Sequence, residues 1–276
     1  MKVIGFLTPY RHLREFKKLV SNNYICLDLS KLSKEDQIDS FKHCNYIFSA
    51  PNYQKFIITD DHLQNTNINM IISPSTGTNH INVNSIPIVS INKDKVLENI
   101  WSTAEHALYL LLAITRHKKE IEELHSNNLG ILGYGRLGTM VKKLCRPLFH
   151  KIYIKDLTVE TENFFDEVDF LSINIDLNKQ NEKFINKDFI NKFKKSIYIV
   201  NTSRGEVVNE QDIVELIQNG KVLGYATDVI QNEHSNNRPY LKTIKDPRIL
   251  ITPHVGGTGI SSQERAYKRA IEKILN

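Results

Sequence analysis

Three glycines constrain this chain more than any other feature. The stretch Gly133-Tyr134-Gly135-Arg136-Leu137-Gly138 follows an apolar run and opens a segment with helical spacing. Each glycine meets a different steric demand. Gly133 permits a tight turn, Gly135 lets the backbone approach a pyrophosphate, and Gly138 lets helix and strand pack closely. A helix starting there presents free N–H groups and a partial positive charge to phosphates. A further strand candidate, "KIYIKD", ends in Asp156, at about the 20-residue spacing where a carboxylate takes the adenosine ribose hydroxyls. Gly-x-Gly-x-x-Gly alone is a weak signal. The strand before it, the helix after it and the acid downstream make it specific. Asp156 would repel a 2′-phosphate, so the expected cofactor is NAD rather than NADP, a preference that Lys155 softens.

Around this loop the 276 residues alternate strand-like and helix-like pieces. Strand candidates lie at 2–6, 45–51, 69–75 and 86–91, with a helical spacing at 10–20. A second series holds strands at 129–133, 151–156, 169–175, 196–200, 223–229 and 248–254. Its helices start at Arg136 and near 187–193 and 209–218, and 156–169 is a short acidic piece poor in helix. The final "SSQERAYKRAIEKIL" is amphipathic. The expected fold class is therefore α/β, with two Rossmann-like or flavodoxin-like domains, parallel sheets, and a cleft between them. The length suits two domains of about 100–150 residues each. The expected division is 1–94 completed by 256–276 for the substrate domain, and 95–255 for the NAD-binding domain. Between the series lies a long helix at 102–117, which Ser102 or Thr103 can cap and Glu105 favours from its first turn. Its apolar residues run nearly all round, so it should be buried between layers or form a homodimer seam.

Composition narrows the function classes. The chain is 41% hydrophobic and 24% charged, with net charge +5, which is ordinary for a folded domain. The positive surplus is spread over Lys-rich pieces such as 187–195, where it would exert only a mild pull on anionic metabolites. No basic-aromatic groove motif points to nucleic acid. Cys26, Cys44 and Cys145 are widely spaced without a Cys-x-x-Cys pair. That argues against a disulfide scaffold and a zinc site, and leaves buried free thiols and no metal. The start of the chain lacks a secretory pattern, and the longest apolar block, "LYLLLAI", is too short for a bilayer. A cytoplasmic, non-membrane protein is expected.

A guanidinium stands at the mouth of a buried strand in "SIYIVNTSR". Arg204 cannot lose its charge, so when partly buried it needs an anion. Glu233 follows the strand of "LGYATDVIQN", and His254 follows that of "RILITP". In a parallel sheet the carboxyl ends of neighbouring strands share an edge, so the three could meet. Singly, each has a plain explanation: a surface ion pair for Arg204, a solvated loop for Glu233, a satisfied core histidine for His254.

The segments "NTSRGEVVNE", "GYATDVIQNE" and "LITPHVGG" resemble the signature segments of the D-isomer-specific 2-hydroxyacid dehydrogenases. "STAEHALYLLLAITR" and "SPSTGTNHIN" extend the resemblance, in order, over nearly the whole chain. The resemblance implies that Arg204 binds the substrate carboxylate, His254 is the acid/base and Glu233 its carboxylate partner. It makes Asp228 a cofactor-side residue near the nicotinamide and Thr202 and Ser203 cofactor contacts, beside Gly133, Gly135, Arg136, Leu137, Gly138 and Asp156. Ser75, Thr76 and Gly77 match a loop whose backbone N–H groups help hold the substrate. It also implies a homodimer.

The chemistry suits these residue types. Reducing a 2-keto acid needs a hydride on the carbonyl carbon and a proton on its oxygen; an imidazolium gives that proton, and a neighbouring carboxylate favours the imidazolium. Arg204 can grip a carboxylate in a bidentate fork. The chain departs from the family pattern at Asn174 and Asp176, where His-x-Pro is common, in the short piece 156–169, and at His234 after Glu233. Ala50, Pro51, Tyr53 and Ser75 are expected to read the substrate's side chain. Two rivals are a reductase of the same fold acting on larger, surface-sugar keto acids, and an NAD(H)-sensing, corepressor-like binding protein without turnover.

Overall fold

A computed structural model describes residues 1–53, 56–116, 123–233 and 239–275. The chain divides into two compact units, Met1–Ile100 with Gly257–Asn276, and Trp101–Gly256.

In the first unit, β1 (Val3–Phe6), α1 (Arg14–Asn23), β2 (Ile25–Asp28), α2 (Lys34–Asp39) and β3 (Tyr46–Phe48) are followed by β4 (Ile58–Thr59), β5 (Met70–Ser73), β6 (Ile81–Asn82) and β7 (Ile88–Ser90). The main sheet is parallel in the order β2-β1-β3-β5-β7, and β4 pairs with β6 apart from it. Setting aside that pair, this is the flavodoxin-like order. The last helix, Ile260–Leu275, returns to this unit because Ala266, Tyr267, Ala270 and Ile271 form a buried stripe at helical spacing. Tyr267 meets Phe16 and Phe48 edge-on, with ring centroids 5.2 and 5.0 Å apart. Arg269 and Lys273 of the same helix reach Asp94 and the Ser90 carbonyl. Asp94 also caps the turn Lys95–Asn99, and Leu97 is buried in this core. Those contacts place 95–100 in the first unit, a few residues beyond the division read from the sequence.

The second unit holds α3 (Ser102–Arg116), β8 (Asn128–Leu132), α4 (Arg136–Cys145), β9 (Lys151–Lys155), α5 (Phe164–Glu167), β10 (Phe170–Ile173), α6 (Lys187–Ile190), β11 (Ile197–Asn201), α7 (Glu210–Gln218), β12 (Val222–Thr227) and β13 (Ile249–Ile251). The sheet is parallel throughout, ordered β13-β12-β11-β10-β8-β9. Every residue of β8, β10 and β11 is buried. Strands covered on both faces read as mostly apolar runs, which is why they were legible. Phe170 and Tyr198 face α3 and α4 and stack 4.7 Å apart, while Leu171, Ile197 and Ile199 face the core shared with α5, α6 and α7. Chain order reverses at β8, since β9 lies on one side of it and β10 on the other. Such a reversal opens a crevice beyond the strand ends where ligands bind in sheets of this kind.

Three local expectations change. Ser102 does not cap α3; it is the first helical residue, and its hydroxyl donates to the Gly256 carbonyl at 2.7 Å. The helix is not buried all round within its unit: Ala104, Ala107, Leu110, Leu111 and Ile114 are inside, whereas Tyr109 is 50% and Leu112 37% exposed. His117, read as its end, lies outside the described residues. Cys44 and Cys145 are buried but Cys26 only half so. Burial pushes the Cys145 thiol up to about 12 and that of Cys44 up to about 11, so both are inert packing groups.

Candidate active site

Arg204, Glu233 and His254 follow β11, β12 and β13, which are neighbours in one parallel sheet. The turn after β13 is built around Asp228, which is only 3% exposed. Its Oδ1 accepts from the Val255 N–H at 2.9 Å and the Thr252 hydroxyl at 2.5 Å, and its Oδ2 accepts from the Gly256 N–H at 2.7 Å. His106 of α3 brings Nε2 to 3.2 Å from Oδ1 and 2.9 Å from the Thr252 hydroxyl. Burial pushes the Asp228 carboxyl up, but His106, Thr252, Gly256 and Val255 together outweigh it and hold the carboxyl below its ordinary range. A Cβ on Gly256 would come within 2.8 Å of Oδ2, so the close approach requires glycine.

Within this turn His254 has φ +55°, in the left-handed region that side-chain-bearing residues rarely occupy. The conformation points the imidazole at Glu233, whose Oε1 lies 2.6 Å from Nδ1. An ionised carboxylate can only accept, so beside ionised Glu233 the hydrogen of this contact sits on Nδ1.

The Arg204 loop is organised by Asn201, which is fully buried. Its Oδ1 accepts from the N–H and hydroxyl of Ser203 at 3.0 and 2.8 Å, and its Nδ2 donates to the Arg204 carbonyl at 2.9 Å. The half-buried guanidinium donates through Nη1 to the Ser203 carbonyl at 2.7 Å. Thr202 and Ser203 are buried beside it.

At the end of β8, Gly133 has φ +89°, and a Cβ there would meet the Asn174 carbonyl at 2.7 Å. A Cβ on Gly138 would sit 2.1 Å from the Gly133 oxygen, whereas a Cβ on Gly135 would meet none of the described residues within 4 Å. Asp156 turns its carboxylate back on the loop, accepting from the N–H groups of Tyr134 and, at 2.6 Å, Leu157. Lys155 pairs with Glu160 at 2.6 Å. Arg136 and Leu137 form the first turn of α4; the Arg136 guanidinium is half-buried and donates to the Met140 sulfur at 3.7 Å. In the first unit, Ser75 bonds the Ser73 hydroxyl and the Gly77 carbonyl, both at 2.7 Å, in the loop that also contains Thr76.

A family model for the D-isomer specific 2-hydroxyacid dehydrogenase, NAD binding domain, matches residues 104–256. The chain belongs to this family. Among its relatives, the hydroxypyruvate reductase of Thermotoga maritima is 30% identical over 200 residues, covering 63% of this chain and 65% of that protein. The D-3-phosphoglycerate dehydrogenase of Bacillus subtilis is 26% identical over 206 residues, covering 64% and 39%. The chain thus spans less than two thirds of either relative. The NAD-bound 3-phosphoglycerate dehydrogenase of Entamoeba histolytica superposes with a TM-score of 0.79 at 19% identity, over 99% of this chain and 94% of that one.

NAD is the cofactor of the family's matched domain, and the residues present fit it. The space around Gly135 admits close approach of a pyrophosphate, and the start of α4 has no side-chain cap of its own. Asp156 keeps acceptor capacity beyond its two backbone bonds. The Oδ1 of Asn174, beside the glycine loop, is buried with no hydrogen-bond partner among the described residues, so an acceptor stands ready there. Of the family departures, the piece after Asp156 is reduced to a Lys155–Glu160 bridge and the one-turn α5. His234 lies outside the described residues. No described helix is long and apolar enough to cross a membrane.

Sequence reasoning missed the bonds from Asp228 to the His254 turn, and with them Thr252, His106 and Asn201. The one available signal was the polar pair Asn201 and Ser203 at a strand end, a spacing that favours a side-chain-to-backbone turn. Asp228→Asn is expected to cost roughly 1.5–3 kcal/mol at pH 7, the usual worth of hydrogen bonds to a charged group. Asp228 is held below its ordinary range, so its contribution is complete above that range and is lost as pH falls through the folded value. Urea unfolding of both proteins at pH 7 and pH 3 should therefore show the gap closing in acid.

Proposed function

We propose that this chain interconverts a D-2-hydroxy acid and its 2-keto acid with NAD, using His254, Glu233 and Arg204. The observation supporting this reading most strongly is the 2.6 Å contact of His254 Nδ1 with Glu233, on neighbouring strands to Arg204. When bound, NADH supplies hydride to the carbonyl carbon. With Nδ1 committed to Glu233, Nε2 of the protonated imidazole gives its proton to the carbonyl oxygen, and the neutral ring takes it back in the oxidation. Glu233 fixes the ring's tautomer and orientation. Arg204 keeps one N–H on Ser203, which steadies the guanidinium, and uses its remaining donors to grip the substrate carboxylate and stabilise charge growing on the adjacent oxygen. Thr202, Ser203 and Asp228 border the cofactor's nicotinamide end, and Asp156 its adenosine ribose. Small 2-keto acids come first as substrates, since relatives are named hydroxypyruvate reductase and glyoxylate reductase.

The exposed Tyr109 and Leu112 on α3 support a homodimer seam. Light scattering at micromolar concentration should give twice the monomer mass, and a monomer would remove the idea.

The activity is tested by following NADH oxidation over a panel from glyoxylate, pyruvate and hydroxypyruvate to branched, aromatic and phosphorylated keto acids. Turnover is expected with at least one, and faster with NADH than NADPH. Removing a positioned acid/base typically costs about 10²–10⁴ in rate, and His254→Ala should fall in that range. Near-normal turnover by that variant would refute its role. Arg204→Lys, lacking the planar fork, should raise KM and lower kcat/KM together.

A further inference from the structure

Glu210 opens α7 and is 1% exposed. Carboxylates are almost never so buried unless paired, yet no cation among the described residues pairs with it. Its Oε1 accepts the backbone N–H of Gln231 at 2.7 Å, the Leu241 amide also faces it, and its Oε2 is buried with no hydrogen-bond partner among the described residues. Gln231 and Leu241 bracket the segment that carries Glu233. Between the held amide and that side chain, Asn232 takes φ +56°, a left-handed turn that links the Gln231 amide directly to Glu233. The same stretch is pressed against the Arg204 loop: a Cβ on Gly205 would come 2.0 Å from the Ile230 carbonyl carbon and 2.4 Å from the Gln231 nitrogen.

We propose that Glu210 is a positioning residue, holding the Gln231 amide so that Glu233 stays aimed at His254. This rests on the reading of His254 and Glu233 as the acid–base pair. An ionised acceptor binds an N–H about twice as strongly as a neutral one, which accounts for a buried carboxylate at this point. Burial pushes the Glu210 carboxyl up to about 7, against the pull of the Gln231 and Leu241 amides, and Glu206 pushes it the same way as burial. Among the described residues, fully buried Tyr225 also faces it. The latch therefore weakens as Glu210 takes a proton near neutrality.

The test combines amide hydrogen exchange in the free protein with turnover of NADH and hydroxypyruvate. Losing a hydrogen bond to a charged acceptor should speed Gln231 exchange by about tenfold or more in Glu210→Ala, and Glu210→Gln, which keeps a neutral acceptor, should restore part of that protection. After correction for intrinsic exchange, wild-type protection at Gln231 should decline as pH falls through about 7, and that of Glu210→Gln should not. Glu210→Ala should lower kcat while leaving KM for NADH unchanged. Combined with Glu233→Gln, it should add no further loss, because it acts through that side chain. If the Ala variant does not fold, Glu210→Asp, which withdraws the carboxylate by one methylene, should give the same pattern. Unchanged Gln231 exchange, or losses that multiply in the double variant, would overturn the proposal while sparing the acid–base reading. Full turnover by Glu233→Gln would defeat that reading and this role with it.

Discussion

The bonds from the Asp228 carboxylate to the turn after β13 are the interaction on which the candidate site depends. Placing a non-glycine residue in the left-handed region costs roughly 1–2 kcal/mol, and His254 bears that cost. Against it stand donors from Val255, Gly256 and Thr252, all converging on one buried anion. Hydrogen bonds to a charged group contribute about 1.5–3 kcal/mol each, the same order as that cost, and they also offset the burial of the carboxylate. The imidazole's direction is thus set from the end of β12, not from its own strand.

The same logic of close backbone approach recurs along the sheet edge. Gly133 and Gly138 let the loop after β8 lie against both Asn174 and its own helix, and Gly205 lets the Arg204 loop press on Ile230. In each place a single methyl group would have to occupy space filled by backbone, which cannot yield as a flexible side chain can. A rigid edge suits the proposed chemistry, in which acid/base and carboxylate ligand must keep fixed places relative to a bound nicotinamide. It also links the loops mechanically, since Gln231 touches Gly205 and hangs from Glu210.

Much of the architecture was legible because the central strands are buried on both faces, leaving mostly apolar runs at β8, β10 and β11. The glycine loop was legible because its constraint is steric and local. Asp228 was harder to read. Its partners are backbone N–H groups of a turn about 27 residues away, and such donors leave no trace in residue type. By residue type Glu210 is an ordinary helix-opening acid; its burial comes with the chain around Gln231 and Leu241. The segment 95–100 groups with the first unit through the cap by Asp94 and the burial of Leu97, tertiary contacts that residue type does not announce. Helix α3 reads as apolar all round, yet only one side of it meets the core of its unit.

The most direct measurement follows the reacting hydrogen itself. NADH carrying deuterium at the transferring C4 position is turned over with the keto acid that reacts fastest, and the product is read by NMR and chiral chromatography. The expected product is a D-2-hydroxy acid with deuterium at C2. A product of L configuration, a product with protium at C2, or no product from any 2-keto acid would contradict it.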